Sequence, residues 1–196
     1  MTNREQAIIA AAAAIFKEKG YQAATTRDIA AAVGIQQATL YYYVSSKEEL
    51  LYLVVREPIM RLYAQLEEIV KASWPARTKI TRAIQAHLAA FDDNYPHMFV
   101  FVQELHNLVP VLQDRLGELP GRYQHLWEEI LQQGMAMGEL RADLDVAATT
   151  LMILGMCNWM CRWYRKGGRL DTATLARQYA SAILDGIVPR PGAEAL

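Results

Sequence analysis

The chain has 196 residues, 53% of them hydrophobic and 21% charged, enough for one large or two small packed domains and inconsistent with global disorder. A formal net charge of −1 excludes a general basic attraction to nucleic acid, and Cys157 and Cys161 are too few and too close for a disulfide framework. The most apolar window, residues 146–160, is short of the ~20 residues a membrane span needs, and the alanine-rich start reads as a helix face rather than a signal peptide, so a cytoplasmic protein with no membrane partner is expected.

Thr2-Asn3-Arg4-Glu5 forms a capping box that opens a helix to about Lys19, with Ile8, Ala12, Ile15 and Phe16 recurring on one face. Gly20 ends it, and Tyr21 is placed to pack back beneath it. Thr25 caps a second helix over 25–33, with Asp28 in the reciprocal position. Gly34 supplies the positive φ of a sharp turn, and a third helix follows over 36–43. Small Ala30, turn Gly34 and anchor Leu40 sit where a DNA-binding helix-turn-helix needs them. Within residues 1–50 the basic Arg4, Lys17, Lys19, Arg27 and Lys47 are balanced by Glu5, Glu18, Asp28, Glu48 and Glu49. DNA affinity must therefore come from the placement of groups and from dimerisation, not from a basic surface.

Ser46 with Glu49 opens a long helix over 47–72, a rod of ~39 Å at 1.5 Å per residue that joins two domains, with Pro58 expected to kink it. After Trp74-Pro75, Ile80, Ile84, His87, Leu88 and Phe91 form the next stripe, which Asn94-Tyr95-Pro96 breaks. A short apolar helix over 96–107 and another over 121–137 follow. Asp143 or Asp145 caps an almost wholly apolar helix over 145–166, ended by Gly167-Gly168, and Asp171 caps the last helix over 171–184. Residues 189–196 read as a flexible tail. The fold class is all-α: a three-helix helix-turn-helix domain over 1–50, joined by the long helix to a helical ligand-binding and dimerisation bundle over 51–188.

Gly20-Tyr21, Thr25-Thr26, Asp28-Ile29-Ala30, Val33-Gly34-Ile35, Thr39-Leu40-Tyr41 and Ser46-Lys47-Glu48-Glu49-Leu50, in this order within residues 5–52, resemble the TetR family of bacterial transcriptional regulators. Ala38 stands where that family often has glycine and Val44 where it often has phenylalanine; these departures bear on DNA preference rather than fold. More loosely, Gly134-x-x-x-Gly138 with Leu140-Arg141, then Asn158-Trp159, Trp163-Tyr164 and Gly167-Gly168, resembles the subgroup that regulates fatty-acid and steroid catabolism, several of whose members respond to acyl-CoA thioesters.

With Leu40 turned inward at about 100° per residue, Ala38 and Tyr42 face outward and Thr39 and Tyr41 flank them. Gln37 is free to reach base edges, bidentately to adenine, and Ala38 or a tyrosine ring can meet a thymine methyl. Thr39, Tyr41 and Tyr43 offer hydroxyls to phosphates, Lys47 adds a charge, and Thr26 and Arg27 begin a helix whose N–H groups favour an anion. The alternative is that the tyrosines pack the small domain, which weighs most for Tyr43. The resemblance implies that the family uses these same positions.

One such unit buries too little surface for tight specific binding, so a homodimer on double-stranded operator DNA is implied, through helices 145–166 and 171–184; the alternative for the first is a core helix of the monomer. The resemblance favours the dimer. A small apolar or amphipathic effector is expected among the middle helices, with Tyr63, Phe91, Phe99 and Trp127 as candidate contacts within a region that also holds Leu105. For an acyl-CoA, Trp159, Arg162 and Trp163 could hold the head group, against the plainer reading that the cations cap a helix C-terminus. The histidines His87, His97, His106 and His125 share no metal-ligand spacing, and no metal or cofactor is expected. The function read from this is a ligand-released repressor rather than an enzyme. The competing classes are an acyl-group-handling enzyme and a helical interaction module that does not bind DNA.

Overall fold

The computed structural model describes residues 2–104, 108, 119–165 and 167–187; the expected tail over 189–196, Leu105, His106 and Lys166 lie outside the described residues. Among the described residues every regular element is helical. By packing, the chain divides into one unit of Met1–Arg61 with Asp93–Pro120 and another of Leu62–Asp92 with Gly121–Leu196.

The N-terminal unit begins with α1 (Asn3–Lys19), whose N-terminus is closed by the reciprocal Thr2–Glu5 box. Its stripe of Ile8, Ala12, Ile15 and Phe16 is buried, and Gly20 leaves the helix at φ +76°. Tyr21 folds back so that its ring meets Phe16 edge-on at 5.4 Å. Next come α2 (Thr26–Ala32), closed by the Thr25–Asp28 box, and α3 (Gln37–Tyr43). The turn between them is a Schellman motif: Ile35 N–H donates to Ala30 C=O, Gly34 N–H to Ala31 C=O, and Gly34 takes φ +68°. Ile29, Ala30 and Leu40 are buried, which fixes the face that α3 turns outward. Val44 lies just past the end of α3 in extended conformation and is buried there.

The long helix α4 (Lys47–Lys71) starts where Ser46 Oγ accepts the Glu49 N–H at 3.1 Å, and it contains Pro58. Its residues to Arg61 belong to the N-terminal unit and those from Leu62 to the C-terminal one. After α5 (Ala76–Asp93) the short α6 (His97–Gln103) packs on α1. The Glu104 carboxylate that follows α6 accepts the Tyr21 N–H at 3.0 Å, tying this segment to the chain just ahead of the helix-turn-helix.

In the C-terminal unit α5 buries the expected stripe of Ile80, Ile84, His87, Leu88 and Phe91. The helix α7 (Leu119–Ala136) ends in a second Schellman turn, with Gly138 at φ +70°, Glu139 N–H on Gly134 C=O and Gly138 N–H on Met135 C=O. A Cβ at Gly134 would lie 2.6 Å from the Ala76 side chain and 2.7 Å from that of Leu140, so only glycine fits. Asp145, rather than Asp143, caps α8 (Val146–Trp159) through Ala148 N–H.

The helix expected to run to residue 166 stops at Trp159 and tightens into a 3-10 turn over Met160–Arg162. Here Trp163 N–H reaches only to Met160 C=O. Tyr164, just beyond, donates its hydroxyl to Asp92 Oδ1 at 2.8 Å, so the chain leaves the helix where a carboxylate at the end of α5 captures it. Asp171 then caps α9 (Thr172–Ile187).

Candidate functional site

The outward surface of the N-terminal unit is built from α2, α3 and the start of α4. Arg27, Ala38, Thr39, Tyr41 and Tyr42 are exposed, and Gln37, Tyr43 and Lys47 are partly so. Tyr42 stands 84% exposed, with its ring edge-on to Tyr43 at 5.3 Å. Tyr43 is the more inward of the two, as helical geometry requires, because at about 100° per residue it shares the side of buried Leu40 while Tyr42 points away from it.

Two of the sequence-derived positions stand differently from expectation. Thr26 is buried, and Gln37 is not free: its Nε2 donates to Thr26 Oγ1 at 2.8 Å. The same Thr26 oxygen lies 3.3 Å from the Tyr41 hydroxyl oxygen. The first residue of α2 thus sits between two side chains of α3, a contact that no periodicity in the sequence announces.

Lys47 Nζ stands 4.4 Å above the Tyr21 ring and donates to Gln22 C=O at 3.3 Å. Burial, followed by the nearby Glu48 carboxylate, pushes the Tyr21 hydroxyl up to about 12, so it stays protonated. Lys19 pairs with Asp28 at 2.9 Å. That pairing, with the Thr25 hydrogen bonds, holds the Asp28 carboxyl down at about 2. The capping box of α2 therefore keeps its charge throughout the physiological range.

In the C-terminal unit a buried polar cluster occupies the middle of the core. Asn158 Oδ1 can only accept, so His87 Nε2 carries the proton and donates to it at 3.1 Å, and His87 Nδ1 accepts from the Tyr123 hydroxyl at 3.0 Å. Burial pulls His87 down to about 4, which keeps the imidazole neutral. The Tyr63 hydroxyl oxygen accepts the Tyr123 N–H at 3.0 Å, and its ring lies 5.2 Å from that of Tyr123. Trp127, one turn along α7, is fully buried, and its indole N–H, which faces the Tyr123 hydroxyl, completes no well-formed hydrogen bond among the described residues. Phe91 is buried in this unit beside His87, whose ring centroid is 6.0 Å away.

The other effector candidates lie elsewhere. Phe99 belongs to the N-terminal unit and is partly buried on α6. Trp159, Arg162 and Trp163 are at the surface, with the Arg162 guanidinium 5.9 Å from the Trp159 ring. Cys157 is buried and its thiol is pushed up to about 12 by burial, while Cys161 is partly buried and raised for the same reason. Among the described residues no group of histidine, cysteine and carboxylate side chains has a metal-binding arrangement, and no helix is long and apolar enough to cross a membrane.

Residues 8–53 match the family profile described as "Bacterial regulatory proteins, tetR family", and residues 73–187 match "Tetracyclin repressor-like, C-terminal domain". The HTH-type transcriptional repressor KstR2 of Rhodococcus jostii is 31% identical over 189 residues, covering 95% of this chain and 92% of its own. The fatty acid metabolism regulator protein of Bacillus subtilis is 25% identical over 92% of this chain and 93% of its own. The structure of the ketosteroid transcriptional regulator KstR2 of Mycobacterium tuberculosis superposes with a TM-score of 0.89 at 28% identity, covering 97% of each chain.

Proposed function

The chain belongs to the TetR family of bacterial regulatory proteins, and from that premise we propose how its DNA-binding and effector roles are divided over its residues. It is a helix-turn-helix transcriptional regulator and not an enzyme. As a repressor it would act in the cytoplasm, holding operator DNA until a small molecule releases it.

The carrying observation is the outward face of α3. A ring as exposed as that of Tyr42, beside exposed Ala38, Thr39 and Tyr41 on a helix held rigid by a Schellman turn, is a surface prepared for a partner. Ala38, Tyr42 and Gln37 are assigned to base edges. Arg27, Thr39, Tyr41, Tyr43 and Lys47 are assigned to phosphates, with Thr26 at the start of α2 supporting them.

Two copies are needed for two half-sites. Leu151, Met152, Gly155 and Trp159 recur at helical spacing on the exposed side of α8, and Ala182 and Gly186 are small and exposed on α9. An apolar row beside close-approach positions supports a symmetric helical dimer interface through α8 and α9.

The effector is assigned to the C-terminal unit around Tyr63, Phe91 and Trp127. The buried Trp127 indole N–H completes no well-formed hydrogen bond among the described residues, and a bound carbonyl or hydroxyl would supply one. The relatives' names point to ketosteroid and fatty-acid metabolism, which fits a small apolar or amphipathic effector such as an acyl-CoA. Arg162, 5.9 Å from the Trp159 ring, would then meet a charged head group. The helix α4 contributes residues to both units and is one covalent path along which effector and DNA sites would be coupled.

Footprinting of the DNA flanking the protein's own gene, repeated with acyl-CoAs, sterols and aromatic acids, tests this reading. Protection of a palindrome that one of these compounds abolishes is the expected result. Protection that no compound relieves would remove the effector assignment, and no protection at low salt would remove the DNA assignment.

A further inference from the structure

Tyr21 lies just ahead of the helix-turn-helix and is held at three points. Its N–H donates to the Glu104 carboxylate at 3.0 Å, and its ring meets Phe16 edge-on at 5.4 Å. Its hydroxyl donates to the Glu48 carboxylate. A ring fixed at backbone, edge and hydroxyl is a rigid platform, and Lys47 Nζ stands 4.4 Å above its face. The same ammonium donates to the Gln22 carbonyl at 3.3 Å.

Both partners are uncharged, which sets Lys47 apart from Lys19, whose charge is neutralised by Asp28 at 2.9 Å. Among the described residues no carboxylate forms an ion pair with Lys47, and the neighbouring Glu48 carboxylate is engaged by Ser46 and Tyr21 instead. A ring face and a carbonyl orient an ammonium without cancelling its charge. One Lys47 N–H is used by Gln22 and at most one faces the ring, so at least one remains for an external acceptor.

We propose that Tyr21 is the positioning residue for Lys47: its ring, with the Gln22 carbonyl, seats the ammonium so that it meets a DNA phosphate at full charge and with its rotamer already set. A lysine that docks on a phosphate from free solution loses side-chain freedom at that moment, whereas Lys47 has lost it on folding, so the contact costs less on binding. Phosphates line every duplex, so Tyr21 raises affinity for all sequences alike and carries no base preference. The inference rests on the DNA-binding reading above and adds what makes its phosphate contact effective.

The test is a double-mutant cycle for DNA affinity, read by fluorescence anisotropy on a duplex selected by the wild type. Tyr21→Leu, an apolar replacement without a π face, should weaken binding about fivefold. In a Lys47→Ala background the same change should alter affinity by less than about twofold, because no ammonium is left to seat. Tyr21→Phe keeps the face and should stay within about twofold of the wild type. A second measurement needs no substitution at Tyr21: in the wild type the Lys47 ε-methylene protons should be shifted upfield by the ring, both free and on the duplex.

A folded Tyr21→Leu protein with wild-type affinity would overturn the inference, and so would an equal loss with and without Lys47, which a merely structural role predicts. Lys47 protons without the upfield shift, in the free protein or on DNA, would overturn it too. In each case the DNA-binding reading stands. If Lys47→Ala leaves affinity unchanged, the phosphate assignment of Lys47 falls and this inference with it; a wild type that enriches no sequence removes the DNA-binding reading as well.

Discussion

His87 Nε2 and Asn158 Oδ1, 71 residues apart in sequence, meet at 3.1 Å inside the C-terminal unit, and Tyr123 closes the other side of the imidazole at 3.0 Å. This arrangement requires a neutral ring. Burial lowers His87 from its ordinary 6.5 to about 4, so between those values the unfolded chain binds a proton that the folded chain does not. Stability from His87 is therefore fully present above pH 6.5 and is lost as pH falls through 4, by roughly 3 kcal/mol at most. Urea midpoints at pH 7.5 and 5 should diverge more for the wild type than for His87→Gln; equal pH dependence in both would contradict the assignment.

The glycines of the two Schellman turns separate conformational strain from steric exclusion. Gly34 has positive φ and open space around it, so Gly34→Ala should cost about 1 kcal/mol. Gly134 has no positive φ but has Ala76 and Leu140 within contact of any added Cβ, so Gly134→Ala should cost more, by several-fold, because both neighbours must move. Thermal unfolding of the two variants checks the order, and the reverse order would show that the close approach at Gly134 is relieved at little cost.

Glu104 is buried and accepts the Tyr21 N–H, while the Tyr21 ring is held between Phe16 and the Lys47 ammonium. Glu104→Ala strands that N–H and should destabilise the protein by ~1–3 kcal/mol. Glu104→Gln keeps an accepting oxygen and should recover most of the loss. If the two variants unfold at the same denaturant concentration, the hydrogen bond is not the source of the stability.

The exposed apolar row on α8 gives a prediction about assembly. Leu151 is 58% and Met152 52% exposed, so charging both, as Leu151→Glu with Met152→Lys, leaves the monomer core untouched. Sedimentation should then show a monomer with wild-type helicity and weak DNA binding. A double variant that still sediments as a dimer would place the interface elsewhere.

Local rules made much of this architecture legible in advance. The Thr2–Glu5 and Thr25–Asp28 boxes, the Gly34 turn and the buried stripe on α5 follow from capping chemistry and helical period, both of which act within four residues. The early end of α8 was not legible, because it depends on Asp92 capturing Tyr164 across 72 residues. The Gly134-x-x-x-Gly138 spacing was visible, but its cause, the closeness of Ala76 and Leu140, was not. At the candidate site, helical rotation about Leu40 placed Ala38 and Tyr42 outward with Thr39 and Tyr41 on the flanks, whereas the Thr26 bonds to Gln37 and Tyr41 depend on how α2 crosses α3. Hydrophobic period says which way a residue faces, not which polar partner a neighbouring helix supplies.

The central claim is that the α3 face reads DNA, and fluorescence anisotropy on a duplex selected by the wild type tests it most directly. Tyr42→Ala, which removes an 84% exposed ring and no core contact, should weaken specific binding about tenfold or more while leaving the fold intact. Lys47→Ala should weaken binding to all sequences alike and lower the salt slope by about one unit. Wild-type affinity and salt dependence in both variants would contradict the claim and move the nucleic-acid surface off α3.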